Sequence, residues 1–205
     1  SGSFMAMRRA AFAVPDPRES AKLDRLLEIV EDAAENGHRV VVYSWFLDVL
    51  DAVARAVDAH ALATLHGPLT GAVPAADRQR VIDEFGADAP GAVLVAQVQV
   101  GGVGLNIQAA SVVVLCEPQL TPSSEEQAIA RAHRMGQARP VQVHRLLAVD
   151  TVDERITELL AGKRADFDAY ARRSDLAEAA PAAVDVTFGD LGRRLVAEEQ
   201  SRLPR

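Results

Sequence analysis

One predicted helix carries the groups in this sequence that are best suited to phosphate chemistry. Ser123 and Glu126 stand three residues apart, a capping-box pattern that predicts the start of a helix. At about 100° per residue, Gln127, Arg131 and Arg134 fall on one side of that helix. Each guanidinium keeps its charge and offers a planar fork of donors that fits phosphate oxygens. The helix therefore predicts a phosphate-facing surface, with a solvated polar face as the alternative.

A glycine-rich segment at residues 97–106 follows a short apolar run. Its glycines, Gly101, Gly102 and Gly104, allow backbone N–H groups to approach a phosphate, or allow two segments to pack closely. Ile107 stands where a dinucleotide-binding fingerprint needs another glycine, which argues against a Rossmann-type site. The segment is therefore interpreted as a phosphate-facing loop, and a purely structural turn is the alternative.

The sequence lacks the parts that normally hold ATP and magnesium. Neither Lys22 nor Lys163 belongs to a G-x-x-x-x-G-K-[ST] loop. Asp153 and Glu154 open a predicted helix and do not end an apolar strand, so they do not form a magnesium-binding pair. The histidines show no metal-ligand spacing, so no metal site is expected. The residues therefore predict half of a phosphoryl-transfer site.

Bulk properties describe a soluble globular chain with one substantial core. The 205 residues are 49% hydrophobic and 25% charged, and no apolar run approaches the ~20 residues of a membrane span. The net charge of −7 argues against a generally sticky nucleic-acid surface but allows a local basic strip. The single cysteine, Cys116, lies in an apolar run and is interpreted as core filler in a reducing cytoplasm.

Short apolar runs alternate with helical patterns along the chain. Strands are predicted at 39–44, 62–65, 92–96, 112–116 and 141–147, and helices are predicted to start after Ser20, near residue 47, at Pro74, at Ser123 and at Thr151. This alternation predicts a parallel, right-handed sheet with helices on both faces. Because ligands of such sheets bind beyond the carboxyl ends of the strands, residues 44–45, 66–67, 97–104 and 117–118 are expected to line one rim.

Several segments together resemble the motifs of the Swi/Snf-type superfamily-two ATPases. The similar segments are motif IV at 40–46, a block from Gly67 through Arg78 to Phe85, motif V at 101–106, motif VI at 127–137 and a closing helix that begins at Thr151. The resemblance covers about residues 19–173 and implies the second RecA-like lobe of a bacterial, cytoplasmic member, without the first lobe. The expected architecture is a RecA-like parallel α/β sheet of about five or more strands.

The expected domain organisation has three parts. Residues 1–17 are interpreted as a linker or cloning remnant, because Pro15 and Pro17 do not fit a helix interior. Residues 18–173 form the lobe, and residues 174–205 form a tail with a short helix at 191–203.

The resemblance also implies a role for each candidate residue. In that family, ATP and Mg²⁺ bind mainly to the first lobe, and the motif VI arginines reach across the cleft to the γ-phosphate. Carried over, this makes Arg131 and Arg134 catalytic arginine fingers. The implied cofactor-binding residues are Gln127, Gly102, Gly104 and Asn106, and the implied nucleic-acid contacts are Ser44, Gly67, Gln97 and Gln99.

The function implied by the resemblance is that of a motor lobe in an ATP-dependent double-stranded-DNA translocase or remodeller, inactive without the missing P-loop lobe. The expected partners are DNA, the first lobe of the same protein, and a protein bound through the tail. Two segments depart from the family pattern: Gln97-Val98 replaces Ser-Thr, and residues 117–122 replace Asp-Pro-x-Trp-Asn-Pro. The alternatives are a non-catalytic interaction or regulatory module and a nucleotide-binding domain of unrelated chemistry.

Overall fold

The computed structural model describes residues 2–12, 20–60, 63–100, 105–133 and 140–171, with side chains described between residues 4 and 162 of those ranges. The helices in these ranges are α1 Gly2–Arg9, α2 Ala21–Glu35, α3 Leu47–His60, α4 Ala75–Ala87, α5 Pro122–Ala132 and α6 Val152–Ala171. The strands are β1 Val40–Ser44, β2 Leu65–Leu69, β3 Val93–Gln97, β4 Val112–Leu115 and β5 Gln142–Arg145.

The five strands form one parallel sheet in the order β2-β3-β1-β4-β5. All five positions of β1 are buried, as expected for a central strand covered on both faces. Its valines suit this place because β-branched side chains pack well on a pleated surface. The predicted α/β class with a RecA-like parallel sheet of five strands is confirmed.

Two apolar layers cover the two faces of the sheet, because successive side chains of a strand point to opposite sides. Val40 and Val42 face the layer that contains α2 and α3, whereas Val41 and Tyr43 face the layer that contains α4 and α5. The buried helix residues of the first layer include Leu26, Ile29, Val49, Leu50 and Val53, and those of the second include Ile82, Phe85, Ala128 and Ala132. The predicted packing of helices on both faces is therefore confirmed.

The sequence predicts helix caps at Ser20, Ser123 and Thr151, and two of the three side chains cap a helix in the structure. The Ser20 side chain accepts a hydrogen bond from Leu23 N at 3.2 Å. Thr151 Oγ1 accepts one from Asp153 N at 3.2 Å, in the first turn of α6. The capping box at Ser123 is wrong, since α5 begins at Pro122, whose fixed φ and missing N–H suit the first helical position.

The segment expected to be a loop at 66–71 instead contains most of strand β2. The Gly67-Pro68 pair resembles a turn signal, but β2 is an edge strand, where a proline without an N–H is tolerated. His66 Nε2 lies 2.8 Å from Asp88 Oδ2, and this hydrogen bond lowers the pKa of the Asp88 carboxyl. His66 and Gly67 therefore lie within a strand and not in the rim loop that was expected.

Replacing Gly67 with Ala is expected to destabilise the fold by about 2–3 kcal/mol, because non-glycine residues are strained in this backbone region. Gly67 has φ +93, and an added Cβ would overlap Val95 O and approach Leu69 N to 2.9 Å. The matched control is Gly71→Ala, where no heavy atom lies within 4 Å and φ is not positive. Urea unfolding measures both, and equal effects of the two changes would contradict the expectation.

The amino-terminal segment contains a helix where a linker was expected. Phe4 is 2% exposed and packs with Leu120, Val152 and Ile156, so α1 contributes to a small third apolar cluster. Residues 13–19 and the tail helix expected at 191–203 lie outside the described residues. The division into 1–17, 18–173 and 174–205 stays a prediction. Within the described ranges, no helix combines the length and hydropathy needed to cross a bilayer.

Candidate functional site

The carboxyl ends of β1, β3 and β4 meet at one edge of the sheet. Ser44 pairs in register with Gln97, and Tyr43 pairs with Leu115, so the loops that follow these strands start side by side. Glu117 lies two residues beyond β4. The described parts of three of the four predicted rim segments, at 44–45, 97–100 and 117–118, therefore lie together, and the fourth, at residues 66–67, lies within β2.

Arg131 joins the last turn of α5 to residues that precede and follow the glycines at 101–104. Its side chain is half-buried, and Nη1 donates to Val98 O and Val100 O, both at 3.3 Å. Its backbone oxygen accepts a hydrogen bond from Ile107 N at 3.0 Å. Ala128 and Ala132 are buried on another side of α5 and pack in the core. The helix of motif VI and the flanks of motif V thus form one connected unit.

Tyr43 lies beneath this unit and is fully buried. Burial raises the pKa of its phenol to about 12, and the nearby positive charge of Arg131 opposes that rise. Because the phenol stays neutral at physiological pH, it adds no negative charge that would neutralise Arg131.

The other predicted cofactor-binding residues are partly described. Gln127 is exposed one turn before Arg131, on the same side of α5. Asn106 is exposed, and its side chain makes two hydrogen bonds with Gln108, at 3.2 and 3.3 Å. Gly102, Gly104 and Arg134 lie outside the described residues. The roles of all these residues stay predictions.

Glu117 is a buried carboxylate that binds the turn after β1. It is 1% exposed; Oε2 accepts from Ser44 Oγ at 2.9 Å, and Oε1 accepts from Trp45 N at 2.7 Å. Burial raises the pKa of Glu117, and hydrogen bonds from Trp45, Gln119 and Ser44 oppose the rise. The sequence placed Glu117 at the expected rim and in a segment that departs from the family pattern, but it assigned no role to its carboxylate. A carboxylate placed directly after a buried strand was the available signal of a site role.

Two of the expected nucleic-acid contacts make internal hydrogen bonds, and their roles stay predictions. Ser44 is fully buried with its hydroxyl on Glu117. Gln97 is half-buried; Nε2 donates to Trp45 O at 3.2 Å, and Oε1 accepts from Gly71 N at 3.4 Å. Gly67 and Gln99 are exposed, so they remain available to an external ligand.

Charged side chains beneath the loop after β4 are buried together. Lys22 Nζ lies 2.5 Å from Asp153 Oδ2 and donates to Cys116 O at 2.9 Å. Arg8 donates to Pro118 O at 2.7 Å and lies over the Phe46 ring at 5.2 Å from its centroid. Helices α1, α2 and α6 are thereby tied to this loop. Among the described residues, no group of three or more His, Cys, Asp or Glu side chains converges as a metal-binding cluster.

Comparison with known proteins identifies this architecture. The family sequence model of the helicase conserved C-terminal domain matches residues 21–136 of this chain. An uncharacterized ATP-dependent helicase of Mycoplasma genitalium is 32% identical over 146 residues, which are 71% of this chain and 14% of that protein. The chain therefore spans about a seventh of that relative's length.

Two solved structures share the fold. The C-terminal part of the Fun30 ATPase domain has a TM-score of 0.64 and 28% identity, covering 68% of this chain and 45% of that one. The Sulfolobus solfataricus SWI2/SNF2 ATPase core in complex with dsDNA has a TM-score of 0.62 and 27% identity. The match covers 80% of this chain and 36% of that one. The family model matches more than half of this chain, so the chain belongs to the helicase conserved C-terminal domain family. Within that family it is a RecA-like C-terminal lobe of the Swi/Snf type.

Proposed function

We propose that this chain is the second motor lobe of an ATP-dependent double-stranded-DNA translocase or remodeller. It supplies arginine fingers to ATP held by a first lobe, and it forms part of the DNA track. The observation that carries the proposal is the placement of Arg131, which is joined to both flanks of the glycine-rich loop. The similarity to an ATP-dependent helicase and to a SWI2/SNF2 ATPase core in complex with dsDNA supports the same proposal.

The donor set around Arg131 fits a nucleotide phosphate. The two carbonyl oxygens that accept from Nη1 are neutral and lie at 3.3 Å, longer than the usual ~2.9 Å. A charged phosphate oxygen forms a stronger, shorter bond with a guanidinium, so it would compete with these carbonyls. Gln127 on the same side of α5 would add an amide donor.

Bound ATP would supply the phosphoryl group, and the chain's own contribution would be charge stabilisation. Phosphoryl transfer gains most from positioning and electrostatics, and an arginine finger adds about 10³–10⁵ in rate. Mg²⁺ is assigned to the first lobe, since the sequence has no P-loop and no strand-end carboxylate pair. The isolated chain is therefore expected to be inactive. A bacterial source and a cytoplasmic location stay predictions.

DNA binding by the chain alone tests the proposed track. With a net charge of −7, only a local surface can meet the phosphates, so binding should be weak and depend steeply on salt. For about three or four phosphate contacts, affinity should fall about 40- to 150-fold between 50 and 200 mM salt. Fluorescence anisotropy with a labelled duplex measures this.

The matched comparison is a single strand of the same length, which should bind less tightly than the duplex. Affinity that persists at high salt would contradict the proposed track. Absence of binding at low salt would favour the non-catalytic interaction module instead.

A further inference from the structure

The backbone of Trp45 is held from two sides by side chains from neighbouring strand ends. Its N–H donates to Glu117 Oε1 at 2.7 Å, and its C=O accepts from Gln97 Nε2 at 3.2 Å. Ser44 Oγ donates to Glu117 Oε2 at 2.9 Å and accepts from Phe46 N at 3.0 Å. Glu117, Gln97 and Ser44, here called the Trp45 clamp, therefore fix two successive peptide groups.

Packing alone does not explain the clamp. Glu117 is 1% exposed, and burial of a carboxylate is unfavourable unless hydrogen bonds and nearby charges compensate. Here the compensation comes from the Trp45 turn, from Gln119 Nε2 at 3.1 Å and from the positive charge of Arg8. An apolar side chain of similar size would avoid that penalty but would leave Trp45 N–H and Ser44 Oγ without this acceptor. The polar clamp thus indicates a role in holding a specific backbone conformation.

The clamp also links several loops of the rim. Gln97 Oε1 accepts from Gly71 N at 3.4 Å, which adds the loop after β2. The clamped turn leads into α3, and Leu47, the first residue of that helix, is 53% exposed. This turn lies beyond the carboxyl end of the central strand, where parallel sheets bind their ligands.

We propose that Glu117 and Gln97 are positioning residues that hold the turn at residues 45–47 in the conformation that contacts the nucleic-acid backbone. This inference rests on the proposed DNA-binding function. Gln97 then acts through its hydrogen bond to Trp45 O and does not itself contact nucleic acid. Glu117 supplies the opposite half of the clamp.

The experiment uses Trp45 as its own reporter, since the chain contains one tryptophan. Glu117→Gln weakens the charge-assisted hydrogen bond of the Trp45 amide, and Gln97→Ala frees the Trp45 carbonyl, so both are expected to speed hydrogen exchange of that amide by about fivefold to tenfold. Acrylamide should quench Trp45 fluorescence more strongly in both variants. Duplex DNA affinity should fall by about fivefold, and Glu117→Asp, which keeps the charge, should recover part of it.

Two exposed side chains on α4 provide matched controls. Gln79→Ala and Glu84→Gln make the same chemical changes away from the rim, where these side chains pair with Asp83 and Arg80. In these control variants, the exchange rate of the Trp45 amide and the DNA affinity are expected to stay within about twofold of the values for the unchanged chain. Melting temperatures measured alongside show whether each variant is folded, and the half-buried Gln97 site tolerates truncation better than Glu117.

Three outcomes would overturn the inference. If Gln97→Ala weakens DNA binding without faster Trp45 exchange, Gln97 contacts DNA directly. If exchange speeds up while DNA affinity stays unchanged, the clamp only stabilises the fold. If the unchanged chain binds no duplex at 50 mM salt, the proposed function fails first, and the positioning role fails with it. Faster exchange together with weaker binding in both variants supports the inference.

Discussion

Replacing Arg131 with Lys in a protein that carries both lobes is expected to lower DNA-stimulated ATP turnover by about two orders of magnitude or more. Lysine keeps the charge but loses the planar fork that binds two oxygens at once. The expected size follows that of other arginine fingers, about 10³–10⁵ for full removal. ATP affinity should change much less, because the first lobe is proposed to hold the nucleotide. Steady-state turnover and ATP titration measure the two quantities, with the isolated chain as an inactive blank.

The control for this change is Arg80→Lys on α4. Arg80 is exposed and pairs with Asp77 and Glu84 at 3.6 and 3.3 Å, so its replacement should leave turnover unchanged. Arg131 also donates to Val98 O and Val100 O, so melting temperature must be followed in each variant. If Arg131→Lys behaves like Arg80→Lys, or if its turnover falls only with its melting temperature, the finger assignment is wrong.

Replacing Lys22 with Met is expected to lower the free energy of unfolding by about 3–5 kcal/mol. The change leaves the Asp153 carboxylate buried without its cation, since the two side chains are 5% and 3% exposed. Such a loss is large beside a total stability of about 5–15 kcal/mol. Urea unfolding of the chain measures it.

Two further variants show whether the buried charge causes this loss. Arg25→Met breaks a surface pair with Glu28, whose side chains are 55% and 61% exposed, and should cost less than about 1 kcal/mol. The double change Lys22→Met with Asp153→Leu removes both charges and should recover most of the stability. If Lys22→Met costs no more than Arg25→Met, or if the double variant is as unstable as the single one, the buried pair does not stabilise the fold as argued.

Much of the fold and part of the site follow from patterns within a few residues. The apolar run at 39–44 predicts a buried central strand, and the spacing of Leu23, Leu26 and Val30 predicts the buried face of α2. The apolar residues Ala128 and Ala132 likewise predict the buried side of α5, and Gln127 is exposed. These predictions hold because helix and strand periodicities depend on local backbone geometry.

The failures occur where a long-range contact outweighs a local signal. Gly67 and Pro68 predict a turn, yet they extend β2 because an edge strand tolerates a proline. Helix α5 starts at Pro122 and not after Ser123, because the fixed φ and missing N–H of proline favour the first helical position. The amino-terminal segment is helical and partly buried because Phe4 and Arg8 find partners more than one hundred residues later in the chain.

By itself, the sequence determined the order of strands and helices from residue 20 onward and the apolar side of the motif VI helix, because both arise from the spacing of neighbouring residues. Only the tertiary structure decided what the polar side chains at the rim do. Glu117 meets Ser44 and Trp45 across 73 and 72 positions, and Lys22 meets Asp153 across 131. Parallel strands separated by helices bring such distant residues to one edge, and no local spacing encodes those partners.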